Sequence, residues 1–81
     1  MTVQVQFFSQ IKTLAGQSHL QVDLPRAATV EDLLAALYSR FPDLKKWDAH
    51  LLIAVGVEYA RRHSVLEEND LVSVMPPVQG G

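Results

Sequence analysis

Apolar and polar residues alternate in two short runs near the start of the chain. In residues 3–7 valine and phenylalanine alternate with glutamine, and in residues 20–24 leucine and valine alternate with glutamine and aspartate. A period of two is typical of a strand with one buried face. We therefore predict two strands that pair as an antiparallel hairpin, joined by a longer connection that contains a helical turn and bends at Gly16.

The apolar spacing then changes to that of a helix. One stripe of apolar side chains is formed by Val30, Leu33, Leu34, Leu37 and Phe41. Thr29 can cap the first turn, and the acidic residues Glu31 and Asp32 complement the positive end of the helix dipole. Pro42 disfavours helical geometry at the residue before it, so we predict that this helix ends near Arg40.

Two apolar runs in the second half of the chain predict further strands. Residues 51–55 are continuously apolar, which is typical of a central strand covered by a helix. Residues 57–59 are interpreted as a short returning strand, and residues 71–75 as the last strand, ended by two prolines. The order predicts an α+β, ubiquitin-like β-grasp fold, with a mixed sheet of four to five strands packed on one main helix. Its first and last strands should be parallel neighbours.

Length and composition restrict the possible functions. Eighty-one residues with 48% hydrophobic content and a net charge of −2 form one small domain, which we place at residues 1–75, followed by a tail over residues 76–81. The chain has no cysteine and therefore no thiol chemistry or disulfide. Because it carries no basic stripe and no apolar run of about 18–20 residues, we expect no nucleic acid, no membrane and a cytoplasmic location.

The C-terminal tail is the strongest candidate for chemistry. Pro76 and Pro77 favour an extended path, so six residues can reach roughly 19 Å. Gly80 and Gly81 remove every side chain next to the α-carboxylate, and such an end can be threaded backbone-first into a narrow site on another protein. The alternative is an ordinary frayed terminus.

Strand parity predicts a docking surface at the root of this tail. If Phe7 and Val74 point inward, then Phe8 and Met75 point outward, and a parallel pairing brings both to the end where the tail leaves. Leu71 lies on the same predicted face and is taken to extend this surface. The alternative is that these residues are scattered surface hydrophobes. The three histidines are widely spaced in sequence and predict no metal site.

Several motifs resemble one known family over essentially the whole chain. The matching segments are Val5-Gln6-Phe7-Phe8-Ser9, Leu14-Ala15-Gly16, Thr29-Val30-Glu31-Asp32-Leu33, Leu51-Leu52-Ile53-Ala54-Val55, Leu66-Glu67-Glu68-Asn69-Asp70-Leu71-Val72 and Met75-Pro76-Pro77-Val78-Gln79-Gly80-Gly81. Together they are similar to the small subunits of molybdopterin synthase, which are ubiquitin-like sulfur carriers. Met75 departs from the aromatic residue usual at its position, and Lys12 stands near a position that often holds arginine.

The resemblance implies a carrier that performs no catalysis by itself and binds no cofactor. It implies that an ATP-consuming, ubiquitin-activating-like adenylyltransferase activates Gly81, that the carboxylate becomes a thiocarboxylate, and that the sulfur passes to a pterin precursor in the large subunit of molybdopterin synthase. Two small and two large subunits are implied in the assembly. The expected partner contacts are Phe8, Leu71, Met75, Pro76, Pro77, Val78 and Gln79, with Gly80 beside the reactive Gly81. Two alternatives stay open, a carrier for thiazole or another sulfur pathway and a modifier conjugated to lysines.

Overall fold

The computed structural model describes residues 1–77, and the predictions for Val78, Gln79, Gly80 and Gly81 lie outside the described residues. The strands are β1 (Thr2–Phe7), β2 (His19–Asp23), β3 (Leu52–Val55), β4 (Glu58–Tyr59) and β5 (Leu71–Met75). The helices are α1 (Ser9–Ala15) and α2 (Val30–Arg40), and a 3₁₀ helix follows at Pro42–His50. Gly16 ends α1 with a φ of 73°, a left-handed conformation that glycine adopts without strain.

The sheet has the order β2-β1-β5-β3-β4. β1 pairs antiparallel with β2 and parallel with β5, as predicted for the first and last strands. β5 pairs antiparallel with β3 on its other side. This mixed five-stranded sheet with one main helix confirms the predicted ubiquitin-like β-grasp fold.

One face of the sheet packs against α2 and forms the core. The inward strand residues and the α2 stripe are buried together, at Val3, Val5, Phe7, Ile53, Val72, Val74, Val30, Leu33, Leu34 and Leu37. Thr29 caps α2 as predicted, since its hydroxyl accepts a hydrogen bond from the Asp32 backbone N–H and the Asp32 carboxylate accepts one from the Thr29 N–H. Helix α2 ends at Arg40, before Pro42.

β5 occupies the middle of the sheet, and β3, the strand predicted from the continuous run at residues 51–55, is an interior strand beside it, as predicted. β3 lies between β5 and the two-residue edge strand β4. Ile53 is buried against the helical layer, whereas Leu52 and Ala54 are only half-buried. The run is apolar on both faces although a helix covers only one of them. The opposite face of the sheet, which we call the open face, is therefore partly apolar.

Within residues 1–77, no helix combines the length and the apolar character that crossing a membrane requires.

Candidate functional site: the root of the C-terminal tail

The root of the tail is held on both sides by the sheet. β5 lies between β1 and β3, with Val74 facing Phe7 of one neighbour and Ile53 of the other. Both neighbouring strands pair with β5, and one further backbone hydrogen bond joins the Phe8 N–H to the Val74 carbonyl at 3.2 Å. Because the last strand is fixed almost to its end, Pro76 and Pro77 leave the sheet at a defined place.

The structure brings Phe8 and Met75 to the same end of the sheet. Phe7 faces Val74 in the β1–β5 register, so Phe8 comes next to Met75 as parity predicted. Phe8 is 42% exposed although it is a large aromatic residue. Ser9 follows it with a φ of 52°, and this reversal ends β1 and starts α1. Phe8 is thus left at the strand end, outside the core.

Met75 also borders a shallow groove on the open face. The groove has a volume of about 240 Å³ and is lined by Ala54, Gly56, Val57, Tyr59 and Met75. Tyr59 lies opposite Ala54 in the β3–β4 register and is 72% exposed, and Val57 is fully exposed in the turn between the two strands. The groove and Phe8 flank Met75 on its two sides, and we refer to Phe8, Tyr59 and Met75 as the open-face patch.

Leu71 occupies the far end of the same strand. It lies opposite Gln4 and is 38% exposed on the open face. It is four positions from Met75, which is about 13 Å along a strand, and Ser73 lies on the same face between them. The structure therefore places Leu71 on the predicted face but does not bring it to the root of the tail.

The sequence analysis missed Tyr59, which belongs to the patch, and Val57, which lines the groove beside it. Residues 57–59 were predicted to form a strand, but the face of each side chain depends on the pairing of β4 with β3. A hairpin register centred on the turn at Gly56 would have placed Tyr59 opposite Ala54 and therefore on the open face.

A pocket with both polar and apolar lining residues adjoins the patch on the side of β1. It has a volume of about 340 Å³, and its lining includes Phe8, Ser9, Lys12, Ser18 and His19. Lys12 and His19 are the basic groups of this lining, whereas no charged side chain among residues 1–77 lines the groove on the β3 side of Met75. The two surfaces beside the root of the tail therefore differ in the charged side chains that they can offer.

A charged cluster lies on the helical side of the molecule. Tyr38 of α2 donates a hydrogen bond to the Asp48 carboxylate, and the Arg62 guanidinium donates to the same oxygen at 2.8 Å. Hydrogen bonds from Tyr38 and Arg62 lower the pKa of Asp48. Burial, reinforced by the hydrogen bond to Asp48, raises the pKa of Tyr38. The cluster joins α2, the 3₁₀ helix and the loop after β4, and its role is to hold the helical layer together.

Comparison with known proteins agrees with this arrangement. Residues 5–81 match the ThiS family, and the chain belongs to that family of ubiquitin-like proteins. It is similar to the molybdopterin synthase sulfur carrier subunit of Drosophila ananassae, with 33% identity over 100% of this chain and 92% of the relative. The predicted resemblance to that group is confirmed.

Solved structures share the fold over nearly the full length. A putative molybdopterin converting factor subunit 1 from Pyrococcus furiosus has a TM-score of 0.88 and 31% identity, covering 96% of this chain and 99% of its own. Small archaeal modifier protein SAMP1 from Haloferax volcanii has a TM-score of 0.88 and 27% identity, with both chains fully covered. A complex of subunits 1 and 2 of the molybdopterin-converting factor from Helicobacter pylori contains a chain with a TM-score of 0.71 and 27% identity, again fully covered in both.

Proposed function

We propose that this protein is the sulfur-carrier small subunit of molybdopterin synthase and acts in the cytoplasm. The observation that carries the proposal is the rigid root of the tail. β5 is paired with β1 as far as Val74 and with β3 as far as Met75. The open-face patch, in which Phe8 and Tyr59 are exposed and Met75 is half-buried, lies where Pro76 and Pro77 leave the sheet. A domain built in this way can dock through the patch while its last residues reach into a partner's active site.

The chemistry is assigned to the Gly81 carboxylate. An α-carboxylate has a pKa near 3.5 and is a poor electrophile at neutral pH. Attack of this carboxylate on the α-phosphorus of ATP, with loss of pyrophosphate, gives an acyl-adenylate on the activating enzyme. Hydrosulfide, or a donor that delivers sulfur at the same oxidation level, then displaces AMP from the acyl carbon and gives the thiocarboxylate. The thiocarboxylate sulfur bonds to the pterin precursor, and water cleaves its bond to the acyl carbon, which returns the Gly81 carboxylate. Glycine at this position leaves the carbonyl open to each nucleophile.

The proposed partner for the second step is the large subunit of molybdopterin synthase. The similarity to a chain in the Helicobacter pylori complex of subunits 1 and 2 supports a partner of this kind. The open-face patch is the proposed contact, with Tyr59 and Met75 on one side of the tail and Phe8 on the other. An assembly of two small and two large subunits remains the expected stoichiometry.

The proposal is tested by altering the end of the tail. Removal of Gly81, or addition of one residue after it, should abolish sulfur transfer in a reconstituted reaction while the melting temperature stays unchanged, because no core residue is touched. Val65→Ala serves as the control, since Val65 is exposed and lies in the segment before Leu66, apart from the patch. Sulfur transfer at the wild-type rate by the chain without Gly81 would refute the carrier function.

A modifier function is the second candidate. It is favoured by the similarity to SAMP1, which is described as a small archaeal modifier protein. In that case Gly81 would form isopeptide bonds with lysines instead of a thiocarboxylate. Intact-mass analysis of the protein from its native cell separates the two functions: replacement of one oxygen by sulfur indicates the carrier, and higher-mass lysine conjugates indicate the modifier. A carrier for thiazole or another sulfur pathway would show the same thiocarboxylate with a different acceptor.

A further inference from the structure

β2 is an edge strand whose outer side has no partner among residues 1–77. β2 occupies one end of the sheet order and pairs only with β1. The register of β2 with β1 is shown by two hydrogen bonds that flank the strand. The Phe7 N–H donates to the Ser18 carbonyl at 2.9 Å, and the Leu24 N–H donates to the Met1 carbonyl at 2.8 Å. In an antiparallel ladder such bonded pairs recur every second residue.

This periodicity identifies the backbone groups that face away from β1. The bonded positions of this segment are the even ones, from Ser18 to Leu24. The N–H and C=O groups of His19, Gln21 and Asp23 therefore point outward from the sheet edge. Three donors and three acceptors form a row that another antiparallel strand can pair with.

The side chains of β2 are complementary to a second copy of the same strand. A two-fold axis at Gln21 places Gln21 opposite Gln21 of the second copy, and His19 opposite Asp23. Each of these is a hydrogen-bonded pair, so all six outward groups on each strand are satisfied at once. The imidazole of one copy then lies beside the carboxylate of the other, twice in the dimer, where an imidazole N–H can donate a hydrogen bond to the carboxylate.

The buried side of the strand favours the same partner. Leu20 and Val22 are half-buried and pack at the border of the core, where the helical layer does not cover them fully. In the same register Leu20 of one copy lies opposite Val22 of the other. The two copies thus cover each other's exposed apolar surface on the inner side, while the pairs of His19 with Asp23 form on the open face.

We propose that this protein self-associates through antiparallel pairing of β2 with β2, which joins two five-stranded sheets into one sheet of ten strands. An interface of this kind is isologous and closes at two subunits. A strand of five residues buries less area than stable dimers need, so the association is weak and depends on concentration. β1 separates β2 from β5, so the interface does not involve the strand that precedes the tail.

The test is sedimentation equilibrium of the full chain between about 10 µM and about 1 mM, the range suited to weak association. The average mass should rise from the monomer value of 9.0 kDa toward twice that value. Gln21→Pro removes an outward N–H that the monomer does not use, and proline is tolerated at such edge positions. This variant should stay monomeric, whereas the matched control Gln21→Ala, which keeps the N–H, should still associate.

A charge exchange tests the register. His19→Glu alone should weaken association because it places a carboxylate opposite Asp23, and the double variant His19→Glu with Asp23→Lys should restore it. Amide hydrogen exchange should show protection of residues 19, 21 and 23 that increases with concentration. A wild-type chain that stays monomeric up to 1 mM overturns the proposal, as does protection of these amides only when another protein is added. Failure of the double variant to associate while it remains folded overturns the proposed register.

Discussion

Substitution of Tyr59 by alanine is the most informative test of the open-face patch. Tyr59 is 72% exposed, and a tyrosine side chain offers about 200 Å² of surface, so a partner has about 140 Å² to cover. At about 25 cal/mol per Å² this area corresponds to about 3.5 kcal/mol. Part of it is the phenol oxygen and part remains on alanine, so we expect a loss of about 2 kcal/mol, or about 30-fold in Kd.

Isothermal titration calorimetry with the large subunit of molybdopterin synthase measures this loss. The side chain is exposed and lies on the two-residue edge strand β4, so the melting temperature should change little. Val65→Ala is the matched control, because Val65 is also a large exposed apolar residue, 61% exposed, and its backbone bridges Thr29 at the start of α2. Binding of Tyr59→Ala within twofold of wild type would show that the groove beside Met75 takes no part in docking.

Four further predictions concern the patch, the core, the cap and the charged cluster. Phe8→Ala combined with Met75→Ala should weaken binding to the large subunit by several-fold or more in the same calorimetric assay, and unchanged affinity would remove both residues from the interface. Leu37→Ala should lower the free energy of unfolding by about 2–5 kcal/mol in urea titration, because the side chain is 1% exposed and leaves a cavity; a loss below about 1 kcal/mol would contradict its place in the core. Thr29→Ala should cost about 1 kcal/mol by the loss of the α2 cap, whereas Thr29→Ser, which keeps the hydroxyl, should cost clearly less. The pKa of Asp48 is lowered in the folded state, so the ionised carboxylate stabilises the fold above the unfolded value of 3.8, and this stabilisation is lost as the pH falls below that value. Between pH 5 and pH 2 the melting temperature of Asp48→Asn should therefore fall less than that of the wild type. Parallel profiles of melting temperature against pH would contradict this.

β3 and β5 show which structural features a local sequence pattern can predict and which it cannot. Both strands were predicted from their apolar runs, and both are interior strands of the sheet. A continuous run reports that both faces are apolar, but it cannot report what covers each face. In this protein α2 covers one face, and the other face contributes Leu52 and Ala54 to the open face.

In the open-face patch, the positions of some residues could be predicted from the sequence and the position of another could not. Phe8 and Met75 were predicted from parity alone, because each follows directly on an alternating strand whose inward residues were evident. Tyr59 was not predicted, because a strand of two residues shows no alternating pattern. The face on which its side chain lies is set by the pairing register of β4 with β3. Leu71 lies on the predicted face of the sheet, but it is far from the tail because it stands at the opposite end of β5.

The amino-acid sequence by itself determined four features of this protein. These are its helices and strands, the cap of helix α2, the parallel pairing of the first and last strands, and the Gly-Gly tail as the candidate reactive group. These features depend on the spacing of apolar and polar residues and on the chemistry of single residues, and a few neighbouring residues are enough to show both. Only the tertiary structure decided the strand order, the groove between β3 and Met75, and the unpaired side of β2. Each of these depends on which strands lie side by side, and contacts between residues distant in sequence decide that.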